Sequence, residues 1–209
     1  QSASAATYYW KGANGNFNWA VPANWADDHA GTVTSTGFPG AADIAHFNIN
    51  GLSGSSTTPD LLVNQSALGL VYDSDRTINL RGGAGANATL SLGLSGIFMS
   101  GSGGSFTAGT GTANSALNNV LMGIAADQSW TNNRSSGALI VRNGVIPEGG
   151  NRTLTLSGTS TSNSNEITST IHSNGVYDGT SRDNGSFTLA REKTGSGNWK
   201  LTTGATAIT

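Results

Sequence analysis

The 209-residue chain carries few groups that could do chemistry, and they fall in three places. The stretch YDSDR (72–76) sets Asp73 and Asp75 two residues apart, which puts both carboxylates on one side of an extended strand. Such a pair could bind a cation, or divide the acid and base roles of polysaccharide cleavage. Arg76 beside it favours a solvated turn in which the guanidinium neutralises the carboxylates. Asp27, Asp28 and His29 form a second polar run, read as a loop. His29, His46 and His172 lie far apart without a ligand-like spacing, so each is read as a surface or packing residue. The third place is aromatic. TYYWKGANGNFNWAVPANW (7–25) packs three Trp, two Tyr and a Phe into 19 residues, framed by Gly, Asn and Ala. Flat rings on a frame with one charge, Lys11, suit packing over an apolar surface or stacking on sugar rings.

Metalloprotease, phosphate-loop and nucleophile-elbow spacings are absent. GGAGANAT (82–89) resembles one calcium-binding nonapeptide, but Asn87 stands where the ligand Asp belongs and the unit occurs once. No catalytic residue, cofactor-binding residue, cofactor or metal ligand is therefore expected, and the chain is read as not an enzyme. Five Asn-x-Ser/Thr sequons start at Asn64, Asn87, Asn133, Asn151 and Asn184. With 21 Asn and 51 Ser plus Thr in the chain, chance supplies about that many, so they do not argue for glycosylation.

Charged residues make up 11%, against ~25% in ordinary soluble domains, and Gly numbers 30, about twice the usual share. A net charge of -2 and three Lys argue against a nucleic-acid partner, which needs clustered positive charge. No apolar run reaches the ~18 residues of a membrane span. The first residue is Gln1 and small residues follow, as expected of a chain whose secretory leader has been removed. Zero Cys excludes disulfides and thiolate metal sites, and is compatible with a repetitive extracellular protein.

Those side chains must be positioned by strands. TINL (77–80), TLSLGL (89–94), TLTL (153–156), SFTL (186–189) and NWKLT (198–202) place apolar residues at every second position, the period of a half-buried strand. Ile78, Leu80, Leu90, Leu92, Leu154, Leu156, Leu189 and Leu201 are the expected inward positions. Asn143-Gly144, Asn174-Gly175, Asp178-Gly179 and Asn184-Gly185 supply tight turns. Residues 112–126 are the best candidate for a helix, weakened by Gly123 and an Asn pair. Short strands with Gly-rich turns fit either an antiparallel β-sandwich or a stacked β-solenoid. Recurrence of near-identical tetrapeptides favours the solenoid, because equivalent positions on successive turns see the same surroundings. Low charge favours it too, since stacked like charges would repel.

The segment FTLAREKTGSGNWKLTTGATAIT (187–209) resembles the autotransporter-associated β-strand repeat, with Leu189, Lys193, Gly195, Gly197, Trp199, Leu201 and Gly204 at its characteristic positions. Extra residues separate Leu189 from Lys193. Residues 127–158 are similar to the coils that precede such repeats. Trp10, Gly12, Gly15, Trp19, Asn24-Trp25, Pro39, Asp43, Ala45 and Phe47 match a header found before them. The resemblance implies a right-handed parallel β-helix, secreted by or displayed on bacteria, without enzymatic activity.

The expected architecture is all-β: an aromatic-rich N-terminal cap over 1–59 and β-solenoid coils over 60–209. Trp10, Trp19, Trp25, Phe38 and Phe47 would roof the first coil; Trp10, Trp19 and Trp25 are also the candidates for stacking on a surface glycan. The expected role is a surface stalk, adhesin or filament subunit, secreted to the bacterial surface. The alternatives are a carbohydrate-binding module and a β-helical polysaccharide-degrading enzyme. The final residues still read as coil, so the edges of successive copies are expected to join head to tail. The assembly-edge residues are Gln1, Ser2, Ala3, Ser4, Ala5, Ala6 and Thr7 at one end and Ala207, Ile208 and Thr209 at the other.

Overall fold

Parallel pairing dominates the structure, a computed structural model that describes residues 4–13, 15–83, 87–109, 120–162, 165–167 and 189–201, the side chains of 189–193 excepted. Its strands are β1 (Thr7–Trp10), β2 (Trp25–Ala26), β3 (Ile44–Phe47), β4 (Gln65–Tyr72), β5 (Ile78–Leu80), β6 (Ala88–Met99), β7 (Phe106–Ala108), β8 (Val120–Ile124), β9 (Gln128–Asn132), β10 (Leu139–Val141), β11 (Val145–Pro147), β12 (Arg152–Ser157), β13 (Glu166–Ile167), β14 (Leu189–Lys193) and β15 (Lys200–Leu201). Helical structure among the described residues is limited to two 3-10 turns, Pro22–Asn24 and Gly54–Thr57.

Ten strands form one sheet, in the order β14-β12-β9-β6-β4-β3-β1-β2, with β8 beside β6 and β11 beside β8. Five form a second, in the order β15-β13-β10-β7-β5. The larger sheet bends where the β4–β6 register shifts between Ala67 and Gly69. The first part of β6 pairs with β8, Ala88 opposite Val120, and its last part pairs with β9, Ile97 opposite Trp130. The strands thus stack in three rows. One runs through β3, the end of β4, the end of β6, β9, β12 and β14. The second is the smaller sheet. The third runs through the start of β4, the start of β6, β8 and β11. From the end of β4 to β13 the chain visits these rows in one repeating order: first, second, third.

Stacking puts like on like. Phe47, Tyr72 and Met99 are in register and fully buried, as are Ile78 with Leu139 across Phe106, and Leu90 with Met122 and Val145. A fully buried side chain of this size contributes ~1.5–3 kcal/mol. Of the expected inward residues, Ile78, Leu80, Leu90, Leu92, Leu154 and Leu156 are buried, and Leu201 packs half-buried against the core. The side chain of Leu189 lies outside the described residues.

The bend requires glycine. Gly96 has φ +57°, and a Cβ there would stand 2.1 Å from the Ser129 carbonyl oxygen of β9. Gly96→Ala should therefore cost roughly 2 kcal/mol or more, from left-handed backbone strain plus a backbone clash. A urea midpoint unchanged from wild type would refute this.

Several expectations are corrected. Antiparallel pairing is confined, among the described residues, to β1–β2 and the Ala26–Thr34 bridge, so an antiparallel sandwich does not describe the fold. Residues 120–124 of the helix candidate form β8, because Val120, Met122 and Ile124 alternate into the core. Gly123 faces the other way, under the Glu148 carboxylate, which a Cβ there would have to push aside. β3 pairs with β4 over four residues, and one apolar cluster runs from Trp10 to Ile167. His172, the turns at 174–175, 178–179 and 184–185, residues 112–119 and 186–188, and Gly204 lie outside the described residues.

Candidate functional site

The aromatic stretch is built into the apolar core, with Trp10, Trp19 and Trp25 among its members. β1 runs parallel to β3, with Tyr9 opposite His46, and antiparallel to β2, with Trp10 opposite Trp25. Alternation along these short strands sends Trp10, Trp25 and Phe47 inward. Trp25 stands edge-on to both Trp10 (5.0 Å between ring centroids) and Trp19 (4.9 Å). Each buried indole N–H has an acceptor: Trp25 donates to the Trp19 carbonyl (2.7 Å), Trp10 to that of Ser56 (2.7 Å) and Trp19 to that of Pro39 (3.4 Å). All three indoles have zero exposure, so none offers a free face on which a sugar could stack. Phe38, expected in the same roof, is instead exposed at 38%.

A second cluster brings distant residues together. His46 Nε2 lies 3.0 Å from Asp73 Oδ1. The Tyr9 ring sits 5.1 Å from that of His46 and 5.7 Å from that of His29, and the two imidazoles are 5.9 Å apart, edge to face. Spacing in the sequence hid this, because parallel stacking joins positions a whole turn apart. The link between β3 and the end of β4 makes His46 a packing residue, one of the two roles read for it, and gives it a carboxylate partner. The pairing of Arg76 with the carboxylates is overturned: Arg76 Nε donates to the Leu52 carbonyl (2.8 Å). Asp75 turns elsewhere, its carboxylate accepting from the Gly51 N–H (3.3 Å). Asp28 caps its own loop, accepting from Val33 N–H (2.6 Å) and Thr32 Oγ1 (2.7 Å), and these hydrogen bonds pull its carboxyl below the usual range.

Burial pulls the His46 imidazole below its ordinary value; the Asp73 carboxylate opposes this and nearby His29 adds to it. The folded state therefore favours neutral His46. Its contribution is intact above the ordinary histidine pKa of ~6.5 and is lost as pH falls from there toward the depressed folded value. Glu148 acts in the opposite sense, since burial raises its carboxyl against the Ser91 hydroxyl bond (3.0 Å) and the charge of Arg152. The useful comparison is consequently between wild type and His46→Gln. The variant should show a smaller loss of unfolding free energy between about pH 7 and pH 5. Equal slopes for the two proteins would refute the assignment.

A histidine hydrogen-bonded to a carboxylate could orient a proton, but no Ser or Thr hydroxyl is hydrogen-bonded to His46 among the described residues. Nor does any group of three or more His, Cys, Asp or Glu there stand close enough to hold a metal ion. No described helix is long and apolar enough to cross a membrane.

One residue escaped the sequence reading. Arg134, 1% exposed, follows β9 and extends its guanidinium beneath the turns after β4 and β6. It donates to the carbonyls of Ser74 (2.9 Å), Ser100 (2.5 Å), Ser102 (2.5 Å) and Ser136 (3.2 Å). Its carbon centre lies 4.6 Å over the Tyr72 ring. Burial lowers the Arg134 pKa and pushes the Tyr72 phenol up to about 12. The phenol stays protonated and donates to the Arg76 and Ser105 carbonyls. The available signal was a lone Arg inside TNNRSSG, a stretch otherwise made of small polar residues.

Of the assembly-edge residues, Ala6 and Thr7 are already engaged: the Ala6 carbonyl accepts from Ile44 N–H (2.8 Å), and Thr7 pairs with Ile44. Ser4 and Ala5 are exposed and precede β1, while residues 1–3 and 207–209 lie outside the described residues. No protein-family model, curated protein or solved structure matches the chain.

Proposed function

We propose that the chain is a non-catalytic, secreted structural protein: a right-handed parallel β-helix serving as a stalk, adhesin or filament subunit at the bacterial surface. The supporting observation is the three-row order, in which the strands of each row pair only with row neighbours while the chain passes repeatedly through all three. A chain advancing one strand spacing per circuit gives this order, and right-handed crossover of parallel strands is the rule. The buried indoles act as the cap of the first coil, covering apolar cross-section that would otherwise recruit other chains. Among the described residues β14 and β15 are the edge strands of their sheets, and their open edges would take the head-to-tail contact, which propagates as a filament because it is heterologous.

The test is assembly of the intact chain at high concentration, followed by light scattering and electron microscopy. Fibres are expected. A chain lacking residues 1–5, which leaves β1 whole, should stay folded and monomeric. An intact chain that remains monomeric and forms no fibres would overturn the filament.

A further inference from the structure

We propose that the outward face of the first row binds a neutral polysaccharide lying along the stack. Pairing places Tyr9, His46, Val71, Phe98, Thr131 and Ser157 in one line, one residue per strand. Their neighbours along each strand, Trp10, Phe47, Tyr72, Met99, Trp130 and Leu156, are buried, so alternation sends the line outward. Phe98 is 43% exposed, a large ring on the surface of a chain with few.

Three features select the occupant. The line carries no Lys, Arg, Asp or Glu; Asp73, which flanks it among the described side chains, is engaged with His46. That composition fits an uncharged partner and offers an acidic or basic one no counter-charge. The line also changes character along its length, from rings and a branched aliphatic to hydroxyls. Thr131 Oγ1 and Ser157 Oγ share one hydrogen bond at 2.7 Å, leaving further donor and acceptor capacity for a ligand. Sugar rings present both surfaces, apolar C–H faces that stack on aromatics and edges of hydroxyls. The repeat is the third feature. Strands advance ~4.8 Å per step, close to the length of one pyranose unit in an extended glycan, so successive sugars can meet successive strands in the same way.

This goes beyond the structural role and rests on the strand registers, not on assembly. Glycan binding without fibres, or fibres without glycan binding, separates the two readings.

The experiment is native electrophoresis of the intact chain through gels containing a linear β-glucan, a mannan or an α-glucan, with anionic alginate as the charged comparison. At least one neutral polysaccharide should slow migration and alginate should not. Phe98→Ser should weaken that binding about tenfold, the scale of one lost stacking ring. Thr131→Lys, which adds bulk and charge to the line, should weaken it by a route that does not touch the ring. Leu94→Ser, at an exposed site outside the line, should bind as wild type does. The inference is overturned if no neutral polysaccharide retards the chain, if alginate alone does, or if folded Phe98→Ser and Thr131→Lys both bind as wild type. It is equally overturned if Phe98→Ser abolishes self-association and leaves retardation intact, which would make the face a contact between copies.

Discussion

Trp25→Ala is expected to lower the unfolding free energy by ~3–5 kcal/mol, the range for deleting a large aromatic from a packed core. Trp25 has zero exposure and sits between Trp10 and Trp19, with Phe47 6.0 Å away. Alanine would leave a cavity bordered by three other rings that are held by their own hydrogen bonds and strand pairing. Such walls cannot easily collapse, which places the cost toward the upper end. It would also remove the donor to the Trp19 carbonyl, a buried acceptor whose loss of a partner adds ~1–3 kcal/mol if water cannot replace it. Trp25→Phe separates the contributions, since it keeps a ring and removes the N–H. Its expected loss is smaller. Denaturant unfolding followed by indole fluorescence measures both. A loss under ~1 kcal/mol for Trp25→Ala would mean that the cluster is not a packed part of the core.

Periodicity made the strands legible because burial acts on one side chain at a time. Leu90, Leu92, Leu154 and Leu156 face inward as their spacing requires, and the turns around Asn143-Gly144 follow from their residue types. Pairing was less legible, since a parallel register is set by which residues stack a full circuit later. His46 and Asp73 are 27 residues apart and meet only because Phe47 and Tyr72 are in register. The helix candidate shows the other limit. The part of it that forms β8, Val120–Ile124, is buried at every position, so the sequence there lacks the apolar–polar alternation of a strand facing solvent on one side. Aromatic content located the buried cluster, but it could not separate Trp19, buried, from Phe38, exposed. Backbone course decides that, and the Gly-rich frame leaves the course unspecified locally.

Arg134→Met is expected to destabilise the fold by ~3–5 kcal/mol, since several carbonyls lose a charged donor at roughly 1–3 kcal/mol for each acceptor left buried and unpaired. The guanidinium donates to carbonyls of turns following three successive strands of one row: Ser74 after β4, Ser100 and Ser102 after β6, and its own Ser136 after β9. The bond to Ser74 is buried and the other three are part-buried, and the strands are already paired, so the carbonyls cannot turn to find other donors without giving up the ladder. Methionine fills much of the volume and supplies no hydrogen, leaving several acceptors unpaired. The contact with the Tyr72 ring would be lost as well, worth ~2 kcal/mol when desolvated. Lysine tests geometry apart from charge. It keeps the positive charge but presents one ammonium where four carbonyls converge on a planar fork. Arg134→Lys should therefore recover only a minority of the loss. Urea midpoints of the three proteins decide the point. A lysine variant as stable as wild type would show that charge in the cavity matters more than the fork, and a methionine variant as stable as wild type would show that the turns hold without any tie between them.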